Sequence, residues 1–146
     1  MNVVIDCNIF ISAVLSQNGT AVEVLRYALK EKFIPQFGQK LFKEYEDVLS
    51  REHIIKNSKL SKDEIDELLN ALLSISKWNE IYYLWRPNLK DEGDNHIVEL
   101  AVASNSKYII TNNKKDFLDK ELNFEFEIVS AKEFLQKEFY NECNNI

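Results

Sequence analysis

The chain has 146 residues, 45% hydrophobic and 29% charged, with three glycines and two prolines; this describes one domain of ordinary size with its own core, and excludes a disordered chain or a turn-rich sandwich. The formal net charge of −6 argues against a surface that coats nucleic acid through lysine and arginine, but not against a nuclease, whose clustered carboxylates are offset by bound cations. Cys7 and Cys143 make no metal or redox spacing, no export-type segment opens the chain, and no apolar run approaches the roughly 18 residues that span a bilayer; the expectation is a soluble, reduced, cytoplasmic protein with no membrane partner.

Asn2-Val3-Val4-Ile5 reads as a short strand buried on both faces, as in a parallel sheet, and it stops abruptly at Asp6-Cys7-Asn8. The functional crevice of an open α/β sheet lies beyond the carboxyl ends of such strands, which is where Asp6 stands. The plainer alternative is that Asp6 and Asn8 form Asx turns or cap the next segment. Ile9 to Leu15 is still apolar, and Ser16-Gln17-Asn18-Gly19 is a turn cluster. Thr20 is a fair N-cap for a helix burying Ala21, Val24, Leu25, Ala28 and Leu29. Phe33 to Phe37 is a strand candidate carrying Pro35, and Leu41, Phe42, Tyr45, Val48 and Leu49 give helical spacing over Lys40 to Ser50.

Ser61 and Glu64 form a capping box ahead of Ile65, Leu68, Leu69 and Leu72, which predicts a helix to about Ser76. Ile81 to Trp85 suggests a strand. A polar connection from Pro87 ends in Asp91-Glu92-Gly93-Asp94, after which Ile97, Leu100, Ala101 and Ser104 predict a helix. Lys107 to Thr111 and Phe126 to Val129 are further strands, and Ser130 with Glu133 makes a second capping box before a terminal helix. The domain is expected over residues 1–140, with 141–146 a fraying tail. Alternating strands and helices predict an α/β fold with a mainly parallel sheet between helical layers. Residues ending the first strand, ending the Lys107 strand and opening the helix after Asp94 can then converge at one sheet edge.

The acids near such an edge are Asp6, Glu44 or Glu46, Asp91, Glu92, Asp94 and Asp116. Asp94 is also a natural N-cap, Asp116 could be a solvated turn residue, and Glu44 and Glu46 flank the apolar stripe of their helix on opposite borders, so the helical wheel does not choose between them. Grouped carboxylates are costly: two about 4 Å apart repel by roughly 4 kcal/mol at an effective dielectric near 20, unless a cation sits among them. Oxygen ligands suit Mg²⁺ or Mn²⁺, and such an ion suits hydrolysis of a phosphodiester. His53 and His96 are too separated for a zinc site and read as ordinary surface residues.

Four stretches in order resemble the PIN domain family, in particular the VapC-type ribonuclease toxins of toxin–antitoxin pairs. They are Val3-Val4-Ile5-Asp6-Cys7-Asn8-Ile9, Lys43-Glu44-Tyr45-Glu46-Asp47-Val48-Leu49, Asp91 through Ala101, and Ile109-Ile110-Thr111-Asn112-Asn113-Lys114-Lys115-Asp116-Phe117. Many members have Thr at the position of Cys7 and Asp at the position of Asn113. The resemblance extends to about Leu135 and implies a three-layer α/β/α fold and a Mg²⁺- or Mn²⁺-dependent endoribonuclease. It selects Glu44. It also implies that Asp6, Glu44 and Asp94 hold metal, that Asp116 holds metal or water, that Asn8, Thr111 and Asn113 position ligands, and that Asp91 assists. Because Asn113 stands where many members have an acid, either Asp116 is the fourth acid or Asn113 serves as a neutral ligand, and the site takes one metal or two accordingly.

The partners so implied are an RNA substrate, an antitoxin protein and a second copy of the chain. Arg51, Lys56, Lys59, Arg86, Lys90, Lys114 and Lys115 are candidates for phosphate contacts, or simply solvated. Two rival readings stand beside this one. An Asp-nucleophile phosphatase or phosphotransferase could use Asp6, although the haloacid-dehalogenase pattern needs a second Asp where this chain has Asn8. An inactive PIN-like binding module is the other, prompted by Asn113.

Overall fold

The computed structural model describes residues 1–16, 19–81, 92–117 and 125–140, and within them not the side chains of 92–95, 116 and 117. In chain order the elements are β1 (Asn2–Ile5), α1 (Cys7–Leu15), α2 (Thr20–Leu29), β2 (Ile34–Phe37), α3 (Gln39–Leu49), α4 (Glu52–Asn57), α5 (Lys62–Ser74), β3 (Lys77–Trp78), α6 (Glu92–Ala103), β4 (Tyr108–Ile110), a 3-10 turn (Lys114–Phe117), β5 (Glu127–Val129) and α7 (Ala131–Leu135), which runs on as a π-helical turn (Gln136–Tyr140). The five strands form one parallel sheet in the order β3-β2-β1-β4-β5.

β1 is the middle strand, and Val3, Val4 and Ile5 have almost no exposed surface, as expected of an apolar run with helices above and below. On one face α6 packs against β1, β2 and β4 and touches α3. On the other, α2 packs on α1 and on α7, which lies against β4 and β5. This is the three-layer α/β/α arrangement expected from the alternation. From β1 the chain crosses to β2 and β3 on one side, then returns across to β4 and β5 on the other. The direction of winding therefore reverses between β1 and β4, and the crevice beyond their carboxyl ends is the topological switch point.

Both capping boxes form: the Ser61 hydroxyl accepts from the Glu64 N–H and the Ser130 hydroxyl from that of Glu133, each glutamate accepting in return from the serine N–H. One unassigned stretch finds its element, and two local expectations are corrected. Ile9 to Leu15, which the sequence marks only as apolar, belongs to helix α1, which starts immediately after Asp6; Cys7, Ile9, Phe10, Ala13 and Val14 are buried, and Asn8 and Ser12 alone are too small a polar face to mark a helical period. Gly19, not Thr20, is the N-cap of α2, and its φ of 155° places it where L-residues are strained. The edge strand β3 is at Lys77–Trp78, with Ile81 outside it and residues 82–85 outside those described; a two-residue strand is too short for alternation to reveal. Among the described residues no helix is long and apolar enough to cross a membrane.

Candidate active site

Asp6 occupies the N-cap position of α1, yet its side chain caps neither the second nor the third helical amide. Instead its Oδ2 accepts from Thr111 Oγ1 at 2.7 Å and from Asn8 Nδ2 at 3.3 Å. Thr111 is wholly buried one residue beyond β4, and its hydroxyl also accepts from Asn8 Nδ2 at 3.3 Å and from the Asn113 N–H at 3.1 Å. The backbone closes the same seam: the Asp6 N–H donates to the Ile110 carbonyl and the Thr111 N–H to that of Val129. The two polar residues ending β1 and β4 are thus joined at the switch point.

Asn112 locks this junction to α1. Its N–H donates to Asn8 Oδ1 at 3.2 Å, and its side-chain amide donates to the Asn8 carbonyl and to Ser12 Oγ. Asn113 contributes its backbone N–H, while its side chain is exposed.

Glu44 comes to Asp6 from α3, and Tyr45 is what fixes that helix. The Tyr45 ring is fully buried edge-on between Phe10 and Phe37, and its hydroxyl donates to the Ile5 carbonyl at 2.6 Å, one residue before Asp6. One position earlier, Glu44 acts on Asp6 at the carboxyl end of β1, whereas Glu46 lines the cavity between α3 and α5. His96 of α6 donates from Nε2 to Glu44 Oε2 at 2.8 Å. Its side chain is only 12% exposed, and Nδ1 is buried with no hydrogen-bond partner among the described residues. The expectation that His96 is an ordinary surface residue is therefore corrected; His53 is exposed.

Electrostatics follow from this packing. Burial, then the nearby Glu44 carboxylate, raise the Asp6 pKa above its ordinary value, opposed by the Thr111 hydroxyl, the Cys7 amide and His96. Burial pushes the Cys7 thiol up to about 12, aided by Glu44 and Asp6, so it stays a neutral apolar filler. Arg51, exposed at the start of α4, acts in the opposite direction on that thiol.

A sequence model of the PIN domain matches residues 2–115. The chain belongs to the PIN domain family. A search of curated protein sequences finds no match. Among solved structures this PIN domain is similar to a chain of VapBC2 from Rickettsia felis, crystallised bound to a DNA fragment from their promoter, at a TM-score of 0.56 and 19% identity over 88% of this chain and 98% of that one. That likeness is one of fold.

Within the PIN domain, the remaining anticipated residues are distributed as follows. Asp94 is the third residue of α6, inside the helix rather than at its N-cap, and Asp116 lies in the 3-10 turn after β4; neither side chain is among those described. Asp91, Arg86 and Lys90 lie outside the described residues. Lys114 pairs with Glu133 at 3.1 Å, so part of its charge is spent on the α7 capping box, while Lys115, Lys56 and Lys59 are exposed. Among the described residues no three His, Cys, Asp or Glu side chains gather closely enough to hold a metal. Among the described residues the acids whose charges act on one another are Asp6 and Glu44, and His96 of α6 is bonded to Glu44.

Sequence reasoning missed His96, Tyr45 and Asn112 as supports. Tyr45 was findable, because a tyrosine in a buried stripe needs a partner for its hydroxyl. His96 and Asn112 act through distant residues and leave no local pattern.

Proposed function

We propose that this PIN domain is a metal-dependent endoribonuclease that hydrolyses RNA phosphodiester bonds, and that it is the toxin of a toxin–antitoxin pair. The observation that carries the reading is the Asp6–Glu44 pair. One carboxylate is buried, the other faces it, and among the described residues the buried one is held by neutral donors with no lysine or arginine bonded to it. Burying a charge beside a like charge is unfavourable unless a cation compensates both. The donors are all oxygens, which fits a hard divalent ion, Mg²⁺ or Mn²⁺, over zinc.

Asp6, Glu44 and Asp94 would hold that ion, with Asp116 completing the site and Asp91 assisting. A divalent ion there would supply charge neutralisation at the phosphate and would acidify water at neutral pH. The chain's own groups do the rest. Thr111 and Asn8 hold the Asp6 carboxylate in place by hydrogen bonds to Oδ2, and the Thr111 hydroxyl opposes the upward pull of burial on its pKa. His96 holds Glu44 in one rotamer, as outer partners of metal-binding groups do. Asn113, with its exposed side chain, would orient substrate, and the exposed Arg51 and Lys115 would offer phosphate contacts.

The neighbour VapBC2 supports an antitoxin as protein partner, and a second copy of the chain is a further candidate. The test is cleavage of RNA in Mn²⁺ by wild type, Asp6→Asn and Glu44→Gln purified in parallel. Cleavage by wild type alone supports the reading. Equal cleavage by all three shows a contaminant, and a phosphoenzyme on Asp6 would favour the phosphatase alternative.

A further inference from the structure

Trp78 is the most exposed of the large apolar residues described, at 50% of its surface. Edge strands are usually blunted by charge, and Lys77 does this for β3; an open indole at the next position serves no such purpose. Its place in the sheet is specific. Register pairs Trp78 with Phe37, and β1 with β2 from Asn2–Ile34 and Val3–Pro35 onward, so Trp78 lies in the row that runs through Phe37 and Ile5 to Ile110 and Val129. That row is the last before Asp6 and Thr111. The backbone of Trp78 therefore lies level with the carboxyl end of β1, two strand spacings or about 10 Å from that strand.

The platform is built to stay in place. The Asn79 N–H and side-chain amide both donate to the Phe37 carbonyl, and the amide also donates to Gln36 Oε1 at 3.0 Å, tying the end of β3 to β2. Phe42 of α3 meets the indole in a T-shaped contact with centroids 5.9 Å apart. Lys77 and Lys43, next in sequence to the two aromatic residues, are exposed.

We propose that Trp78, braced by Phe42, is the stacking platform for an unpaired base of the RNA flanking the scissile phosphate. This deepens the ribonuclease reading and rests on it. Charge explains why such a platform is needed: at a net −6 the chain draws little affinity from phosphates, whereas aromatic stacking is independent of charge and tolerant of sequence. The chemistry selects single-stranded RNA, since bases in a duplex are already stacked.

Binding is measured in chelator, where no cleavage occurs, with a fluorescein-labelled single-stranded RNA of mixed sequence, alongside KM and kcat in Mn²⁺. Trp78→Ala should weaken binding roughly 5- to 100-fold and raise KM with little change in kcat; Trp78→Phe should recover most of the loss and Trp78→Leu should not. In a Trp85→Phe background, RNA should quench the remaining indole. If wild type cleaves and binds RNA and Trp78→Ala does so equally well, the platform is wrong and the nuclease reading stands. Trp78→Ala that keeps RNA affinity but loses self-association or antitoxin binding assigns the indole to a protein interface instead. If wild type neither binds nor cleaves RNA, both readings fall.

Discussion

Thr111 Oγ1 donates to Asp6 Oδ2 at 2.7 Å, joining the ends of two adjacent strands that are 105 positions apart in sequence. The bond lies at the one crevice where the direction of winding reverses, and it is the strongest opponent of the burial that raises the Asp6 pKa. Thr111→Val keeps the shape and removes the donor. It should cost roughly 1.5–3 kcal/mol in urea unfolding at neutral pH, the range for a hydrogen bond to a charged group. The loss should shrink as pH falls and Asp6 takes up its proton, and Thr111→Ser should retain most of the stability.

Asp6 itself burdens the metal-free fold. Its folded pKa lies above the ordinary value of 3.8, so between the two values the folded state binds the proton more tightly and stability rises as pH falls. Above the folded pKa the cost is present in full. Asp6→Asn should therefore melt higher than wild type in chelator at neutral pH, by roughly 2–4 °C for each kcal/mol relieved, with the gain fading on acidification. Added Mn²⁺ should stabilise wild type and not the variant. A calorimetric scan showing no gain in chelator would mean that the Asp6 charge is not burdened by its site.

Tyr45→Phe removes the hydroxyl that reaches the Ile5 carbonyl while leaving the contacts with Phe10 and Phe37. Stability should fall by about 1 kcal/mol. Because Glu44 is the neighbouring residue on α3, RNA cleavage should fall more than global stability accounts for, which kcat at a temperature well below the melting point will show.

His96 is a positioning residue for Glu44. His96→Ala should weaken Mn²⁺ affinity about 10- to 100-fold, the usual consequence of losing an outer partner of a metal-binding group. Calorimetric titration measures it directly, and saturating Mn²⁺ should restore much of the cleavage rate.

Much of this was legible from local pattern. β1 showed as an uninterrupted apolar run and both capping boxes as serine–glutamate pairs, because those signals are completed within a few residues. α1 was not legible: only Asn8 and Ser12 interrupt its otherwise apolar run, too little contrast to show the period by which a helix is known. Asp6 was visible as an acid at a strand end, but that its side chain binds Thr111 and Asn8 instead of capping α1 depends on contacts that topology creates. The Glu44–His96 pair joins α3 to α6 and has no counterpart in spacing along the chain. Trp78, between Lys77 and Asn79, belonged to no pattern in the sequence; its exposure is a consequence of β3 being the edge strand.

The central claim is that Asp6, Glu44 and Asp94 share one divalent cation at the switch point. A crystal soaked in Mn²⁺, with data collected for anomalous scattering, tests it most directly. The account predicts an anomalous peak within coordination distance of carboxylate oxygens of all three residues, with Thr111 still donating to Asp6. A peak held elsewhere, or an Asp6 carboxylate with no ion at saturating Mn²⁺, would contradict it.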